Sequence, residues 1–312
     1  MNNLKLYQER ETTIVAQACA NIQGFTELRN RLQQKVSISG KSQSMFKNYV
    51  HHVAKVALHF NCLPTELDAD QINDYLFLVK EQHKTPSEAF FKFTVYGLRF
   101  VFRMEGLKDK RIELPSIKRD KRLPVVLSRE EVKRLLVAPK LLKHRILIAL
   151  LYGCGLRCFE VRGIKLCDLD FDRQMLHVRQ GKGKKDRYVP LGKHLVRGLK
   201  KYIAAENPEL WLFNGKPDGG AGGDFDSRYS QRGVQWAVNQ ARKDAGITKA
   251  MTVHTLRHTY ATHLLEDGLD IMSIKDLLGH ECIDTTLVYL HVAQSGRVKA
   301  FSPLDTLYEV KK

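Results

Sequence analysis

The feature that most constrains the fold of this chain is the charged segment GLKDKRIELPSIKRDKRLP, which spans residues 106–124. Its two prolines disfavour a continuous helix, and its lysine and arginine side chains favour an extended, solvated backbone. The segment therefore predicts an extended basic linker over residues 107–123. Two domains, one on either side of this linker, also agree with a length of 312 residues.

The first domain, residues 1–106, is predicted to be helical. Between Ser39 and Asn61 the apolar side chains recur every three to four residues, which is the spacing of one helix face. Ser87 is placed to cap another such helix, whose aromatic residues follow the same spacing. Pro64 and Pro86 separate the helical stretches. Nothing in this domain indicates catalysis, so we expect a small helical bundle with basic edges.

The second domain, residues 124–300, combines helices with a few strands. Ser128 and Glu131 form a capping box that opens its first helix. Two strand-like runs, 175–178 and 187–191, flank a turn at 181–185 and predict a hairpin with a lysine-rich tip. The other expected elements are helices at 141–152, 157–165, 194–205, 231–244, 254–267, 271–278 and 285–292, a mobile glycine-rich loop at 214–226, and a C-terminal tail at 301–312. The predicted fold class is mostly α with a small β-sheet (α+β).

The charge of the chain indicates a polyanionic partner. The formal net charge is +17. Residues 1–123 hold 20 Lys and Arg against 13 Asp and Glu, and the rest holds 31 against 21, so both domains are basic. A polyanion that touches both domains fits this distribution, and DNA or RNA is the first candidate. A cationic surface without a specific ligand is the alternative.

The remaining bulk features favour a cytoplasmic protein without a membrane partner. The longest apolar run, residues 146–152, is far shorter than the roughly 20 residues that span a bilayer. The N-terminal sequence lacks the pattern of a secretion signal. The six cysteines show no paired CxxC spacing, which is typical of reduced thiols in the cytosol.

The stretch HTLRHTYATHLLEDG places His254, Arg257, His258 and His263 on one predicted helix. Three interpretations compete. The i, i+4 spacing of His254 and His258 suits zinc, but Thr255 stands where a zinc protease has glutamate, and an intervening arginine would repel a cation. The histidines could instead be satisfied structural groups. In the third interpretation, His254 and Arg257 lie on one helix face and clamp a phosphate.

Matching groups occur elsewhere in the second domain. Arg157 follows a glycine break in GLRCFE, and Glu160 lies one turn later, where it can hold that arginine or form an ordinary surface pair. The predicted hairpin tip carries Lys182 in GKGKKDRYVPL. His280 and Tyr289 follow in LLGHECIDTTLVYLH.

These four stretches, taken in order, resemble the motifs of the tyrosine recombinases, also called the phage integrase family. The resemblance covers residues 124–293, more than half of the chain. Any one stretch alone would be a weak signal. Four stretches in order, with fitting spacing, argue strongly against chance agreement.

The resemblance implies a set of catalytic residues and an arrangement of domains. The residues that match the family's catalytic positions are Arg157, Lys182, His254, Arg257, His280 and the nucleophile Tyr289. Residues 1–106 would be the family's core-binding domain. The two domains would close as a C-shaped clamp around double-stranded DNA.

These residue types suit the cleavage of a phosphodiester. Two guanidinium groups on the non-bridging oxygens offset the charge of the transition state. His254 can accept the tyrosine proton or bind the phosphate, His280 can donate to the same phosphate, and a lysine can protonate the leaving 5′ oxygen. The cluster supplies the positive charge that two metal ions supply in nucleases. We therefore expect no metal, no cofactor and no requirement for ATP.

Some positions have alternatives. Lys184 or Lys185 could act as the acid in place of Lys182. Tyr260 could be the nucleophile, but its position on the same helix as Arg257 predicts a place in the core. The other titratable residues of these motifs are expected to be structural, solvated or in contact with the backbone, and they are Glu160, His258 and His263.

The function expected from these features is that of a site-specific DNA recombinase or integrase of a mobile element. It would work as a homotetramer on paired DNA sites, and accessory DNA-bending proteins could assist it. A Xer-type recombinase that resolves chromosome dimers is the nearest alternative. A type IB topoisomerase-like enzyme would share the chemistry but act as a monomer. The intact set of motif residues argues against a DNA-binding protein without strand exchange.

Overall fold

The structure is a computed structural model that describes residues 13–82, 88–107, 109–110, 112–115, 123–179, 186–215 and 227–293. The chain divides into two compact units, Met1–Asp120 and Lys121–Lys312. Each unit buries an apolar core of its own, and the two cores have no residue in common.

The described part of the first unit consists of five helices. They are α1 (Ile14–Asn21), α2 (Phe25–Ile38), α3 (Gln43–Phe60), α4 (Ala69–Gln82) and α5 (Glu88–Met104). Helix α3 packs against α1, α2 and α5. It begins where the Ser42 hydroxyl accepts the backbone N–H of Met45, which satisfies one of the free donors of its first turn. The predicted helical unit is therefore present, whereas the Ser87 cap lies outside the described residues.

The beginning of the predicted linker packs on the first unit. Ile112 is 2% exposed in the core of this unit, and its carbonyl accepts a hydrogen bond of 3.1 Å from Nε of Arg99. Lys110 donates from Nζ to the carbonyls of Thr65 and Leu67, at 2.6 and 2.5 Å. The described backbone thus stays on the first unit as far as Ile112. The remainder of the predicted linker, residues 116–122, lies outside the described residues.

The second unit contains helices, short 3-10 turns and one sheet. Its described elements are α6 (Arg129–Val137), α7 (Leu142–Gly153), α8 (Cys158–Arg162), a first 3-10 turn (Leu166–Asp168), β1 (Leu169–Asp170), β2 (Met175–Val178), β3 (Arg187–Pro190), α9 (Lys193–Glu206), α10 (Gln231–Asp244), α11 (Val253–Glu266), α12 (Ile271–Leu278), α13 (Asp284–Leu287) and a second 3-10 turn (Val288–His291).

The sheet is antiparallel, with strand order β1-β2-β3. Leu176 of β2 pairs with Leu169 on one side and Val189 on the other, and alternate residues of β2 face the core. The predicted hairpin of β2 and β3 is confirmed. Strand β1 was not predicted, because two residues are too few to show a period. The hairpin tip at 180–185 and the glycine-rich segment at 216–226 lie outside the described residues.

Helix α11 is buried along most of its length. His263, which is 5% exposed, lies with Nε2 3.0 Å from the Leu127 carbonyl and Nδ1 2.9 Å from the Tyr152 hydroxyl. Because a carbonyl only accepts, Nε2 donates to it and Nδ1 accepts from the tyrosine. The Leu127 N–H donates to the Thr259 hydroxyl at 3.1 Å. These bonds join α11 to the segment before α6 and confirm the backbone contact predicted for His263.

The predicted fold class, mostly α with a small β-sheet, is confirmed. The capping box that opens α6 is also confirmed: the Glu131 N–H donates to the Ser128 hydroxyl at 3.2 Å, and the Ser128 N–H donates to the Glu131 carboxylate at 2.7 Å. Within the described ranges, no helix is long and apolar enough to cross a membrane.

Candidate active site

A cleft of about 740 Å³ lies where α8, α11, the end of α12 and the second 3-10 turn meet. Five of the six predicted catalytic residues line it, although they come from three separate motif stretches of the chain: Arg157, His254, Arg257, His280 and Tyr289. The sixth, Lys182, lies outside the described residues, as do its alternatives Lys184 and Lys185. The fold thus brings together every predicted site residue that the structure describes.

A buried carboxylate organises the arginines of this cleft. Glu160, with a side chain 6% exposed, accepts two hydrogen bonds of 2.8 Å from Arg187 and one of 2.7 Å from Nη1 of Arg157. It also accepts the Arg157 backbone N–H at 2.8 Å, at the start of α8, and lies 3.9 Å from Nη1 of Arg257. Burial raises the pKa of Glu160, but the bonds and charges of Arg187 and Arg157 outweigh this and hold the pKa at about 2. The carboxylate is therefore ionised at neutral pH and offsets the repulsion among three guanidinium groups.

The structural role expected for Glu160 is correct, but its extent was not expected. Arg187 was assigned only to a strand, although it provides the bidentate partner of Glu160 and also donates from Nε to the Leu277 carbonyl at 2.8 Å. Its place in the motif GKGKKDRYVPL was the one available signal in the sequence.

Main-chain carbonyls position the guanidinium groups of the cleft. Arg257 donates from Nη1 to the Gly155 carbonyl at 2.7 Å and from Nη2 to the Leu278 carbonyl at 2.5 Å. Arg157 donates from Nη2 to the Gly279 carbonyl at 3.3 Å. Burial, followed by the charge of Arg157, lowers the pKa of Arg257 to about 9. Arg257 therefore remains charged at neutral pH, and both side chains are fixed by groups that cannot change rotamer.

Two glycines in the left-handed region make this arrangement possible. Gly155 has φ +59°, and a Cβ there would lie 2.4 Å from the ring of Tyr260. Gly279, with φ +62°, caps the end of α12. A Cβ added at this position would lie 3.2 Å from the Arg187 side chain. Tyr260 is 7% exposed within an apolar cluster, so the core position predicted for it is confirmed.

The three histidines of the cleft favour the neutral form at pH 7, because burial lowers the pKa of each. For His280 burial and the nearby arginines lower the pKa to about 4. The pKa of His254 is lowered by burial and then by Arg257, and that of His258 by burial and then by His254. Nδ1 of His280 lies 2.9 Å from the hydroxyl of buried Thr286. If that hydroxyl donates to Nδ1, His280 presents an Nε2–H group that can bind an anion.

Tyr289 lies on the second 3-10 turn and is 1% exposed. Its ring packs in a cluster with Ala261, Ile274 and Leu278. Its hydroxyl lines the cleft 3.1 Å from Nδ1 of His258. Burial raises the pKa of Tyr289, whereas the charges of the two cleft arginines lower it. The contact with His258 was missed, because two residues 31 positions apart give no periodic signal.

Among the described residues, His254 and His258 have no further side chain beside them that could complete a zinc site. Their ring centroids are 6.4 Å apart. In the part of the chain that the structure describes, no group of three or more His, Cys, Asp or Glu residues could hold a metal ion. All six cysteines are free thiols.

Comparison with known proteins gives a consistent result. The model of the Phage integrase family matches residues 125–295. Tyrosine recombinase XerA of Thermococcus kodakarensis is 34% identical over 278 residues, which cover 88% of this chain and 94% of that protein. An integrase/recombinase of Escherichia coli is 30% identical, with 89% of this chain and 93% of that protein covered. The structure of XerH site-specific recombinase bound to palindromic difH substrate shares the fold, with a TM-score of 0.64 at 19% identity over 91% of each chain.

The family predicted from the four motifs is thereby confirmed, and so is the predicted enzyme class. The matched region contains every described residue of the cleft. The chain belongs to the phage integrase family, the tyrosine recombinases, whose enzymes cleave and rejoin DNA in site-specific recombination.

Proposed function

We propose that this recombinase integrates or excises a mobile element by cutting and rejoining double-stranded DNA through a covalent 3′-phosphotyrosine on Tyr289. The observation that carries the proposal is the convergence of two fixed guanidinium groups and one tyrosine hydroxyl on a single cleft. The reaction exchanges one phosphoester for another, so it needs no ATP.

The cleft residues other than tyrosine bind the scissile phosphate. Arg157 and Arg257 contact its non-bridging oxygens and stabilise the negative charge that grows in the transition state. His254 and His280 donate hydrogen bonds to the same phosphate in their neutral forms. This positive site replaces the metal ions of other nucleases, so we expect cleavage to proceed without metal.

The chemical step forms one bond and breaks another. The Tyr289 oxygen attacks phosphorus, the tyrosine–phosphorus bond forms, and the bond from phosphorus to the 5′ oxygen breaks. The leaving 5′ oxygen takes a proton from the ammonium group of Lys182, with Lys184 and Lys185 as the alternative donors. The free 5′ hydroxyl of a partner strand then reverses the step and releases the tyrosine.

The same proposal covers the assembly on DNA. Residues 1–106 form a core-binding domain and 124–300 a catalytic domain, joined by the linker 107–123, and the two close on the duplex as a C-shaped clamp. The basic charge of both halves of the sequence supports contact of each domain with DNA. We expect a homotetramer on two paired sites, with accessory DNA-bending proteins where the sites require them. The free thiols agree with work in the cytoplasm.

Covalent trapping tests the proposal. Nicked suicide duplexes, tiled from the DNA that flanks the gene, are incubated with the protein in EDTA, and denaturation-resistant adducts are counted. We expect adducts with the wild type and with Tyr260→Phe, which alters another buried tyrosine, but none with Tyr289→Phe. Adducts that persist in Tyr289→Phe would show that the nucleophile is misassigned. The mass of the undenatured protein–DNA complex then reports whether four chains hold two duplexes.

A Xer-type recombinase that resolves chromosome dimers is the second candidate. The 34% identity to a recombinase named XerA favours it. The chemistry would be the same, so the location of the target separates the two functions. Adducts on chromosomal duplexes remote from the gene, with none on the flanking DNA, would favour the Xer-type function.

A further inference from the structure

We propose that His258 is a further catalytic residue, which accepts the hydroxyl proton of Tyr289 while the tyrosine oxygen attacks the DNA. The inference rests on the proposed function, because it concerns the nucleophile of that reaction. The motif resemblance gives His258 no role, and the spacing of residues on α11 indicates only a structural histidine.

The geometry of the pair is that of a hydrogen bond between nucleophile and base. Nδ1 of His258 lies 3.1 Å from the Tyr289 oxygen, and the two ring centroids are 5.8 Å apart. This distance is within the range expected between a general base and the proton-bearing atom that it serves. Both residues also line the cleft in which the phosphate would bind.

The direction of this hydrogen bond follows from burial. Tyr289 is 1% exposed, and a hydroxyl in such a place needs an acceptor for its proton. Among the described residues, Nδ1 of His258 is the only group recorded within hydrogen-bonding distance of this hydroxyl. The hydroxyl therefore donates and Nδ1 accepts, which leaves the proton of the neutral imidazole on Nε2.

The charges around His258 keep it ready to accept. The groups that face it are His254 and Arg257 on its own helix, Tyr289 on the second 3-10 turn, and His280 after α12. None of them is an anion at neutral pH. Burial, followed by the charges of His254 and Arg257, lowers the pKa of His258 below its usual value of 6.5, so the imidazole is neutral at pH 7. The hydrogen bond from the tyrosine then leaves Nδ1 as the nitrogen without a proton.

A division of labour between His254 and His258 follows. Besides burial, the charges of Arg257 and Arg157 lower the pKa of His254 and that of Glu160 raises it, so His254 lies on the side of the cleft that holds the arginines. His258, one turn later on α11, contacts the nucleophile instead. The sequence left His254 two roles, as acceptor of the tyrosine proton or as phosphate ligand, and the contact of His258 with the tyrosine favours the second.

The tyrosine–phosphorus bond forms as the Tyr289 proton moves to Nδ1 of His258, and the bond to the 5′ oxygen breaks. The 5′ oxygen takes a different proton, from the lysine ammonium proposed above. In the imidazolium form of His258 both nitrogens are protonated, and the arriving phosphate offsets the added charge. The proton returns to the tyrosine oxygen when the strand is rejoined.

The first test uses the full chain without DNA. In ¹⁵N-histidine NMR at pH 7, the His258 resonances are identified by their loss in His258→Asn. We expect the neutral tautomer with the proton on Nε2, and a shift of the Nδ1 resonance in Tyr289→Phe. A proton on Nδ1 would overturn the inference, because the imidazole would then donate to the tyrosine.

The second test measures single-turnover cleavage of the suicide duplexes that trap the wild type. His258→Asn keeps a polar group near the Nδ1 position but cannot take up a proton, and we expect it to cleave about 100-fold more slowly, within the range for general-base catalysis. The matched control is His144→Asn, because Nε2 of His144 contacts another tyrosine hydroxyl, that of Tyr229, at 3.1 Å and remote from the cleft. Wild-type rates in His258→Asn would overturn the inference.

A DNA substrate with sulfur in place of the bridging 5′ oxygen distinguishes the loss of the general base from the loss of the general acid. The thiolate leaves without being protonated, so this duplex rescues variants that lack the general acid but not variants that lack the base. We expect His258→Asn to stay slow on it, and full rescue would contradict our assignment. If the wild type itself forms no adduct, the proposed function fails, whereas the NMR measurement still decides the direction of the hydrogen bond.

Discussion

Replacing Glu160 by glutamine should destabilise the second unit, because it removes the buried anion that lies next to three guanidinium groups. The substitution keeps the size of the side chain but removes the charge to which Arg157 and Arg187 donate. Arg257, 3.9 Å from this carboxylate, loses its nearest anion. Three guanidinium groups would then share a buried space without a counter-charge.

The magnitude follows from the pKa of Glu160, which lies at about 2 instead of 4.5. A shift of this size corresponds to about 3 kcal/mol of stability, at about 1.4 kcal/mol per pKa unit. This agrees with the roughly 3–5 kcal/mol that is typical when one partner of a buried ion pair is removed. For a unit of this size the melting temperature should fall by roughly 6–12 °C.

The pH dependence has a definite sign. Because folding depresses the pKa of Glu160, its contribution is fully present above pH 4.5 and is lost as the pH falls towards 2. The difference in stability between the wild type and Glu160→Gln should therefore be constant near neutrality and shrink below pH 4.5.

Differential scanning calorimetry of the two proteins at several pH values measures both effects. The control is Glu130→Gln, since Glu130 has a side chain 73% exposed and its one ion pair with a described residue is to Lys133, also exposed. Exposed pairs of this kind contribute little, so the control should melt with the wild type. A melting temperature of Glu160→Gln within about 1 °C of the wild type would refute the argument that this carboxylate holds the arginines together.

Three further outcomes are expected. Gly155→Ala should lower the free energy of unfolding by about 2 kcal/mol or more, because the position has a left-handed φ and the new Cβ would lie 2.4 Å from Tyr260. Urea unfolding measures this loss. The control is Gly246→Ala, which has φ +64° but open space around the new Cβ and should cost only about 1 kcal/mol. His263→Ala should lose roughly 2–3 kcal/mol through its two buried hydrogen bonds, and an unchanged urea midpoint would contradict this. Chelation with EDTA should leave the rate of adduct formation unchanged, and rescue by an added divalent ion would point to a metal.

Most of the fold could be predicted from the sequence because its helices show their periodicity locally. Helix α11 was expected at 254–267 and spans Val253–Glu266. The last helix was expected as one piece at 285–292, but the chain divides it into α13 and a 3-10 turn that carries Tyr289. A change from one helix type to another leaves the spacing of apolar residues almost the same, so no pattern could have indicated it.

The candidate site was predictable only as a set of residue types. Motif order predicted which side chains meet, but the contacts that hold them join positions far apart in the chain. Arg187 reaches Glu160 across 27 positions, and His258 reaches Tyr289 across 31. Such pairs depend on tertiary packing, and residues so far apart in the chain show no regular spacing from which their contact could be predicted.

The backbone carbonyls that hold the arginines have a consequence for inactivation by heat. Two of the three acceptors, Leu278 and Gly279, are the last residue of α12 and the residue that caps it, at the end of an element of only eight residues. Helix ends open more readily than whole domains. Fraying of this one turn would take one carbonyl acceptor from each guanidinium group and loosen its position, while the core of the unit stays folded. Catalytic competence should therefore disappear on warming before the calorimetric transition begins, and amide exchange at the end of α12 should follow the lost activity rather than the melting curve.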